Sequence, residues 1–234
     1  MKKFLPLAFA LCLSFAANSQ TFYTADFGTG LGAWTAVDNT GNNAGNWTYS
    51  HNPISGFYSG ATFRFYSATA SNGFMFFMSD STVDDGKAEN ADLKSPAIDC
   101  SGKSYVFLEF DEEFATNGTA TGTVFVSTDG TNWNQVYITT QNSETNPAHT
   151  IVDITTYAAN QATVYLKFNW QGNWDYFWAL DDIKLVVPPA NDVSIDNINI
   201  SDYLSPGSYT VSGTLTNHGG TTLQGLDISY TING

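Results

Sequence analysis

Eight lysines and arginines stand against 22 acidic residues, and the 234-residue chain carries a formal charge of −14. No basic stripe interrupts that acidity. It argues against nucleic acid as a partner, because such binding rests on Lys and Arg neutralising phosphates. Contact with an anionic membrane surface fails on the same ground. Histidine is also scarce: His51, His149 and His218 lie 98 and 69 positions apart, without metal-ligand spacing. Residues 56–60 read Gly-Phe-Tyr-Ser-Gly rather than the Gly-x-Ser-x-Gly of a nucleophile elbow. No phosphate-binding glycine loop opens a helix, and helical periodicity is almost missing.

Cysteine is nearly absent, and one of the two belongs to a leader. Lys2 and Lys3 form a positive n-region, residues 4–17 an apolar core, and Ala17-Asn18-Ser19 a small-residue cleavage site. The apolar run is shorter than the ~20 residues a membrane span needs. Leu11 precedes Cys12 where a lipoprotein signal wants a small residue, so no lipid anchor and no direct membrane insertion is expected. Residues 1–19 are therefore read as a signal peptide of a secreted, cell-surface or outer-envelope protein. Losing Lys2 and Lys3 takes the charge from −14 to −16. Cys100 is then left alone, unable to form an internal disulfide. With no His near it in sequence, it reads as a small buried hydrophobe.

Alternation by two is what the sequence has in quantity. Ala162, Val164, Leu166, Phe168 and Trp170 alternate with polar residues, and Val106, Leu108 and Phe110 do the same. Val124 and Val126 run into Ser127-Thr128-Asp129-Gly130, a hairpin signal. Many short strands punctuated by Gly, Asn and Thr predict an all-β protein, a jelly-roll β-sandwich over residues 20–187. Pro188-Pro189 opens a stiff linker, residues 188–190. Val193, Ile195, Ile198 and Ile200, then Tyr209, Val211 and Leu215, begin a new strand set, and Leu226, Ile228, Tyr230 and Ile232 continue it. Residues 191–234 amount to about half of an immunoglobulin-like β-sandwich, which takes ~100 residues. The expectation is a domain cut in its middle, with further sequence beyond residue 234.

Several motifs carry a resemblance. Tyr23-Thr24-Ala25-Asp26-Phe27 with Leu31, Trp34 and Asp38, then Ser71-Asn72-Gly73-Phe74, residues 89–99, and Val126-Ser127-Thr128-Asp129-Gly130 follow one pattern. Residues 172–183, Gly-Asn-Trp-Asp-Tyr-Phe-Trp-Ala-Leu-Asp-Asp-Ile, complete it. Together they resemble the MAM-like, choice-of-anchor J or cleaved-adhesin jelly rolls of secreted Bacteroidetes proteins, over nearly all of residues 21–187. Residues 191–234 resemble, more weakly, the Ig-like module of CARDB and Omp28-related proteins. The resemblance implies cell adhesion, and export by type IX secretion, whose sorting domain this sequence does not contain. It also implies a structural calcium between the first and last strands of the jelly roll.

The candidate metal ligands follow. Alternation puts Phe177, Ala179, Asp181, Ile183 and Leu185 on one face, so Asp181 projects among apolar residues where an unpaired carboxylate is costly. Calcium, a hard cation that takes carboxylate and backbone oxygens, would resolve that. Asp26 is the natural partner, with Asp38 and Asp182 as lesser ones. The alternative is that Asp181 accepts backbone or Trp N–H bonds without metal. A second acidic cluster at residues 80–86 lacks the EF-hand pattern; it reads as a solvated turn or a loop calcium site.

Two further constellations bear on function. Glu109-Phe110-Asp111-Glu112-Glu113 has the Glu-x-Asp-x-Glu form of laminarinase-type glycosidases, although Glu112 stands where those enzymes prefer an apolar residue. Retaining chemistry wants its two carboxyls ~5–5.5 Å apart, whereas four positions on a straight strand span ~13 Å. Trp170, Trp174, Tyr176, Phe177 and Trp178 form the densest aromatic cluster. Phe177 belongs to the core set, which turns Tyr176 and Trp178 the other way as ligand-binding candidates; the alternative is a scaffold role. The expected function is non-catalytic adhesion or binding of a surface glycan or protein ligand by a calcium-stabilised sandwich. Two enzyme readings stand beside it: an ancillary part of a secreted peptidase, glycosidase or thioredoxin-like enzyme whose catalytic domain follows residue 234, or a glycosidase using Glu109 and Glu113.

Overall fold

In a computed structural model of the chain, the described residues are 19–41, 45–56, 62–81, 87–199, 208, 210–217 and 219–226. The signal segment before Ser19, Asp84, Asp85, Ile200, Tyr209, Ile228, Tyr230 and Ile232 lie outside them. Gln20–Pro188 forms one compact unit and Pro189–Gly234 belongs to another.

The first unit is a sandwich of two antiparallel sheets. One sheet has the order β11 (Ala148–Asp153), β8 (Phe107–Ala115), β13 (Phe177–Val187), β6 (Phe74–Met78), β3 (Thr48–Ser50), with β1 (Gln20–Ala25) also pairing β13. The other runs β10 (Asn134–Thr139), β9 (Thr121–Ser127), β12 (Tyr165–Gly172), β7 (Glu89–Lys94), β2 (Thr35–Asp38). A small pair, β4 (Ile54–Ser55) and β5 (Thr62–Phe63), stands outside both.

Alternation explains how the sheets close. Leu108, Phe110 and Phe114 of β8 face Leu166, Phe168 and Trp170 of β12 and Val124 and Val126 of β9 in one core, all essentially without solvent exposure. Each such side chain contributes about 1.5–3 kcal/mol of burial. Gly130, at φ 72°, lies in the loop that joins β9 to β10, in the left-handed region that glycine enters without strain. Cys100 is fully buried, and burial, helped by the neighbouring Asp99 charge, pushes its thiol up to about 11.

A second, smaller core covers the outer face of the six-stranded sheet. Ile54, Phe65, Ala70, Phe74, Met78, Phe177 and Ala179 form it. β13 is therefore buried on both faces, unlike β8, whose outer residues are half-exposed.

In the second unit, β14 (Val193–Asn199) pairs antiparallel with β15 (Ser212–Asn217). Among its described residues Ile195, Ile198, Val211, Leu215 and Leu226 are exposed.

Candidate functional site

The site begins with a hand-over between strands. Along one side of β13, β6 pairs as far as Leu180↔Met75, and β1 takes over at Ile183↔Ala25. On the other side the register with β8 slips: Asp181 stands opposite Asp111, but Lys184 opposite Glu109. The extra residue is on β13, a bulge that places Asp182 at φ 51°. Asp181 thus keeps the outward direction of Phe177 and Ala179, while Ile183 and Leu185 turn into the main core. This corrects the expectation that all five share one face: a strict period of two does not survive a bulge.

Asp181 is fully buried. Its Oδ2 accepts the Ser67 hydroxyl at 2.5 Å and the Thr69 hydroxyl at 3.0 Å. Its Oδ1 has no hydrogen-bond partner, nor has Oδ2 of the neighbouring Asp182. Burial pushes the Asp181 carboxyl up to about 7, against the hydrogen bonds that favour its charge. Asp182, Thr69, Thr24 and Asp26 line one cavity of ≈ 170 Å³, with Lys184 at its side and its Nζ 3.9 Å from Asp182 Oδ1. Asp26 Oδ1 also accepts the Gly28 N–H at 3.1 Å. Apart from Lys184 the polar side chains of the lining offer oxygens, as a hard cation wants; Asp182 Oδ2 among them is buried without a partner, as is Oδ1 of the adjacent Asp181, which is not part of the lining. Among the described residues no three His, Cys, Asp or Glu side chains converge as a ligand cluster, so hydroxyls and backbone oxygens would have to complete the shell.

Asp38 does not belong there. It ends β2 in the other sheet, opposite Ala91, and its carboxylate accepts the backbone N–H and hydroxyl of Thr40. A turn, not the first-to-last strand junction, is what it serves.

The acidic strip of β8 divides by face. Glu109, Asp111 and Glu113 point outward, whereas Glu112 is buried in the core. Register with β11 is unbroken from Phe107 to Glu112, so β8 is regular over this stretch and the Cα atoms of Glu109 and Glu113 stay ~13 Å apart. Asp111 Oδ1 lies 2.7 Å from His149 Nδ1. Glu113 has a buried Oε2 without a partner, and burial pushes its carboxyl up to about 7. Glu112 accepts Trp178 Nε1–H at 2.8 Å and the hydroxyls of Tyr137 and Thr150, both at 2.6 Å. Burial still leaves its carboxyl above the ordinary value.

Trp178 is consequently not a ligand contact. It is fully buried, 5.5 Å from Trp47 and 5.9 Å from Phe114 between ring centroids. Because the outer face of β13 is covered as well, both Phe177 and Trp178 are core residues, in different cores. Tyr176, 39% exposed, remains on the surface beside Trp174. Between them Asp175, which the sequence did not single out, is a structural hub. It accepts backbone N–H bonds from Asn117, Thr119, Ala120 and Tyr176 and hydroxyls from Thr116 and Thr119. Burial alone would raise its carboxyl, but the hydrogen bonds outweigh it and hold the carboxyl below its ordinary value.

A larger opening lies on the same side as the small core. This cleft of ≈ 410 Å³ is lined by His51, Asn52, Arg64, Tyr66, Ser67 and Ser71, with Phe65 and Phe74 at its floor. Sequence alone does not reveal this cleft, although one signal is present: Arg64 is the only arginine in the chain.

No family model and no curated protein matches the chain. Solved structures do. The K3 cleaved-adhesin domain of Lys-gingipain from Porphyromonas gingivalis W83 is 19% identical, with a TM-score of 0.50, covering 70% of this chain and 98% of that one. The K1 domain of the same protein is 16% identical, TM-score 0.49, covering 70% and 96%. TmCBM61, solved with β-1,4-galactotriose, is 11% identical, TM-score 0.45, covering 68% and 92%. The sandwich shares the cleaved-adhesin fold. At these identities the likeness concerns the fold alone, a jelly-roll β-sandwich of the kind expected.

Proposed function

We propose that the chain is a secreted or cell-surface, non-catalytic recognition module. Its sandwich binds a glycan or protein ligand and is stiffened by calcium at the β13 bulge. The observation that carries the reading is the open cleft at Arg64 and Tyr66, whose described lining mixes polar, aromatic and small apolar residues and contains no carboxylate. Three buried acids elsewhere are engaged in the fold: Glu112 and Glu89 receive the indole N–H groups of Trp178 and Trp170, and Asp175 ties two loops together. The adhesin name of the K3 domain accords with this.

Calcium is supported by the two unpartnered carboxylate oxygens of Asp181 and Asp182 beside Asp26. Where it binds, Asp182 with either Asp26 across the cavity or its chain neighbour Asp181 would hold it, completed by hydroxyl and backbone oxygens because no three described carboxylates converge there. Tyr176 offers a second exposed aromatic surface. The amino-terminal segment is read as the export signal of a Bacteroidetes-type secreted protein, and residues 191–234 as the start of an Ig-like module.

The test is a screen of the full chain, with calcium, on immobilised glycans and proteins, alongside an assay for β-glucan hydrolysis. Saturable binding without turnover is expected. Turnover that disappears in Glu109→Gln would replace this reading with the glycosidase.

A further inference from the structure

The cleft has the chemistry to choose its ligand. Arg64 is the chain's only arginine, among 22 acidic residues, yet among the described residues it makes no ion pair. A guanidinium in so acidic a chain ordinarily finds a carboxylate, since its planar fork matches one in a bidentate pair. Here the described lining holds no Asp or Glu, and His51 stands on the same wall. An acidic protein has thus gathered a cation without an ion pair and an imidazole in one cleft whose described lining holds no carboxylate.

The segment that carries Arg64 is set in place before any ligand arrives. The Asn146 side chain accepts the Tyr66 N–H at 3.0 Å and donates to the Arg64 carbonyl at 2.6 Å, as a neighbouring strand would. Phe65 between them turns inward, edge-on to Phe74 at 5.4 Å. By alternation Arg64 and Tyr66 emerge side by side, and Tyr66 is 62% exposed. Such a ring offers a flat apolar face with a polar tip, the complement of the C–H face of a pyranose. Asn52 and Ser71 add neutral donors and acceptors for hydroxyls.

We infer that the cleft binds a carboxylated saccharide, a uronate or a sialate, with the sugar carboxylate on Arg64 and the ring face on Tyr66. The inference rests on the recognition-module reading and gives it a ligand class. Exposed charges farther than ~8 Å away are largely screened at physiological salt, and the buried Asp181 stands behind the lining with its Oδ2 held by the Ser67 hydroxyl.

The test is calorimetric titration of the full chain with trigalacturonate and 3′-sialyllactose, with galactotriose and lactose as neutral counterparts and a peptide bearing a free C-terminal carboxylate as a further arm. One carboxylated sugar is expected to bind about tenfold or more tightly than its neutral counterpart, which identifies uronate or sialate as the source. Arg64→Ala is expected to remove that preference, Arg64→Lys to restore only part of it, and Tyr66→Ala to weaken binding of acidic and neutral sugars alike. Both residues are exposed, and each variant is checked for an unchanged melting curve. Equal binding of neutral sugars, an unchanged Arg64→Ala, or binding of the peptide alone overturns the inference and leaves the module reading standing. Binding of no probe here, and of nothing in the wider screen, overturns both.

Discussion

Ser67 lines the Arg64 cleft and donates its hydroxyl to Oδ2 of the buried Asp181 at 2.5 Å. The wall of the cleft and the cradle at the β13 bulge are therefore the same piece of chain, residues 64–69, seen from its two sides. A cation that fixes Asp181 would hold Ser67 and Thr69 through their hydroxyls, and through them the backbone that presents Arg64 and Tyr66. Chelation should then weaken ligand binding at the cleft, and Ser67→Ala should weaken it too, while lowering stability by about 1 kcal/mol. Titrations with and without chelator check this; equal affinities would separate the two sites.

Glu113 sets a pH dependence. Its carboxyl is near 7 in the fold against an ordinary 4.5, because burial disfavours the charge. A carboxyl raised in this way holds its proton better when folded, so its ionisation burdens the fold. The penalty is absent below about 4.5 and complete above about 7. Glu113→Gln is expected to raise stability by about 1 kcal/mol at pH 8, a value discounted for partial exposure, and to change little at pH 4.5. Melting curves at the two pH values read it out as about 2–4 °C against none.

Asp175 has the opposite sign. Its carboxyl is held below the ordinary value, so its contribution is present at neutral pH and is lost as pH falls through the folded value. Asp175→Ala leaves several buried backbone N–H groups without an acceptor and is expected to cost about 3 kcal/mol at pH 7. Denaturant titration at pH 7 and at pH 3 measures it, with the smaller loss at pH 3.

Cys100 is expected to be silent. Fully buried and pushed up to about 11, its thiol has almost no thiolate at pH 8. A thiol reagent added to the native protein should react no faster than the protein unfolds, and at once in denaturant. Rapid native labelling would contradict the placement.

How far the sequence can be read varies with what surrounds each strand. Leu166, Phe168 and Trp170 alternate with polar or half-exposed residues, of which only Asn169 is buried, and their core assignment follows directly from that. β13 defeats the same reasoning because its outer face is covered by Phe65 and Phe74 from distant chain. With both faces buried, alternation cannot tell which residues meet solvent, and it leaves Trp178 open between a ligand contact and the scaffold role that its burial shows. The bulge is equally invisible, since one extra residue in the register leaves no compositional mark. Asp26 and Asp182 line one cavity and Asp181 is next in the chain to Asp182; the sequence draws attention to them because carboxylates at strand ends stand out against apolar runs. Arg64 and Tyr66 were passed over, since only folding brings His51 and Asn52 against them.

The most direct measurement is the melting temperature of the full chain in excess calcium and after chelation, for the native protein and for Asp181→Asn. Calcium at about a hundred times its dissociation constant stabilises by about 2.7 kcal/mol, a rise of roughly 5–10 °C. That rise is expected in the native protein, and its loss in Asp181→Asn. Superimposed native curves with and without chelator would contradict it.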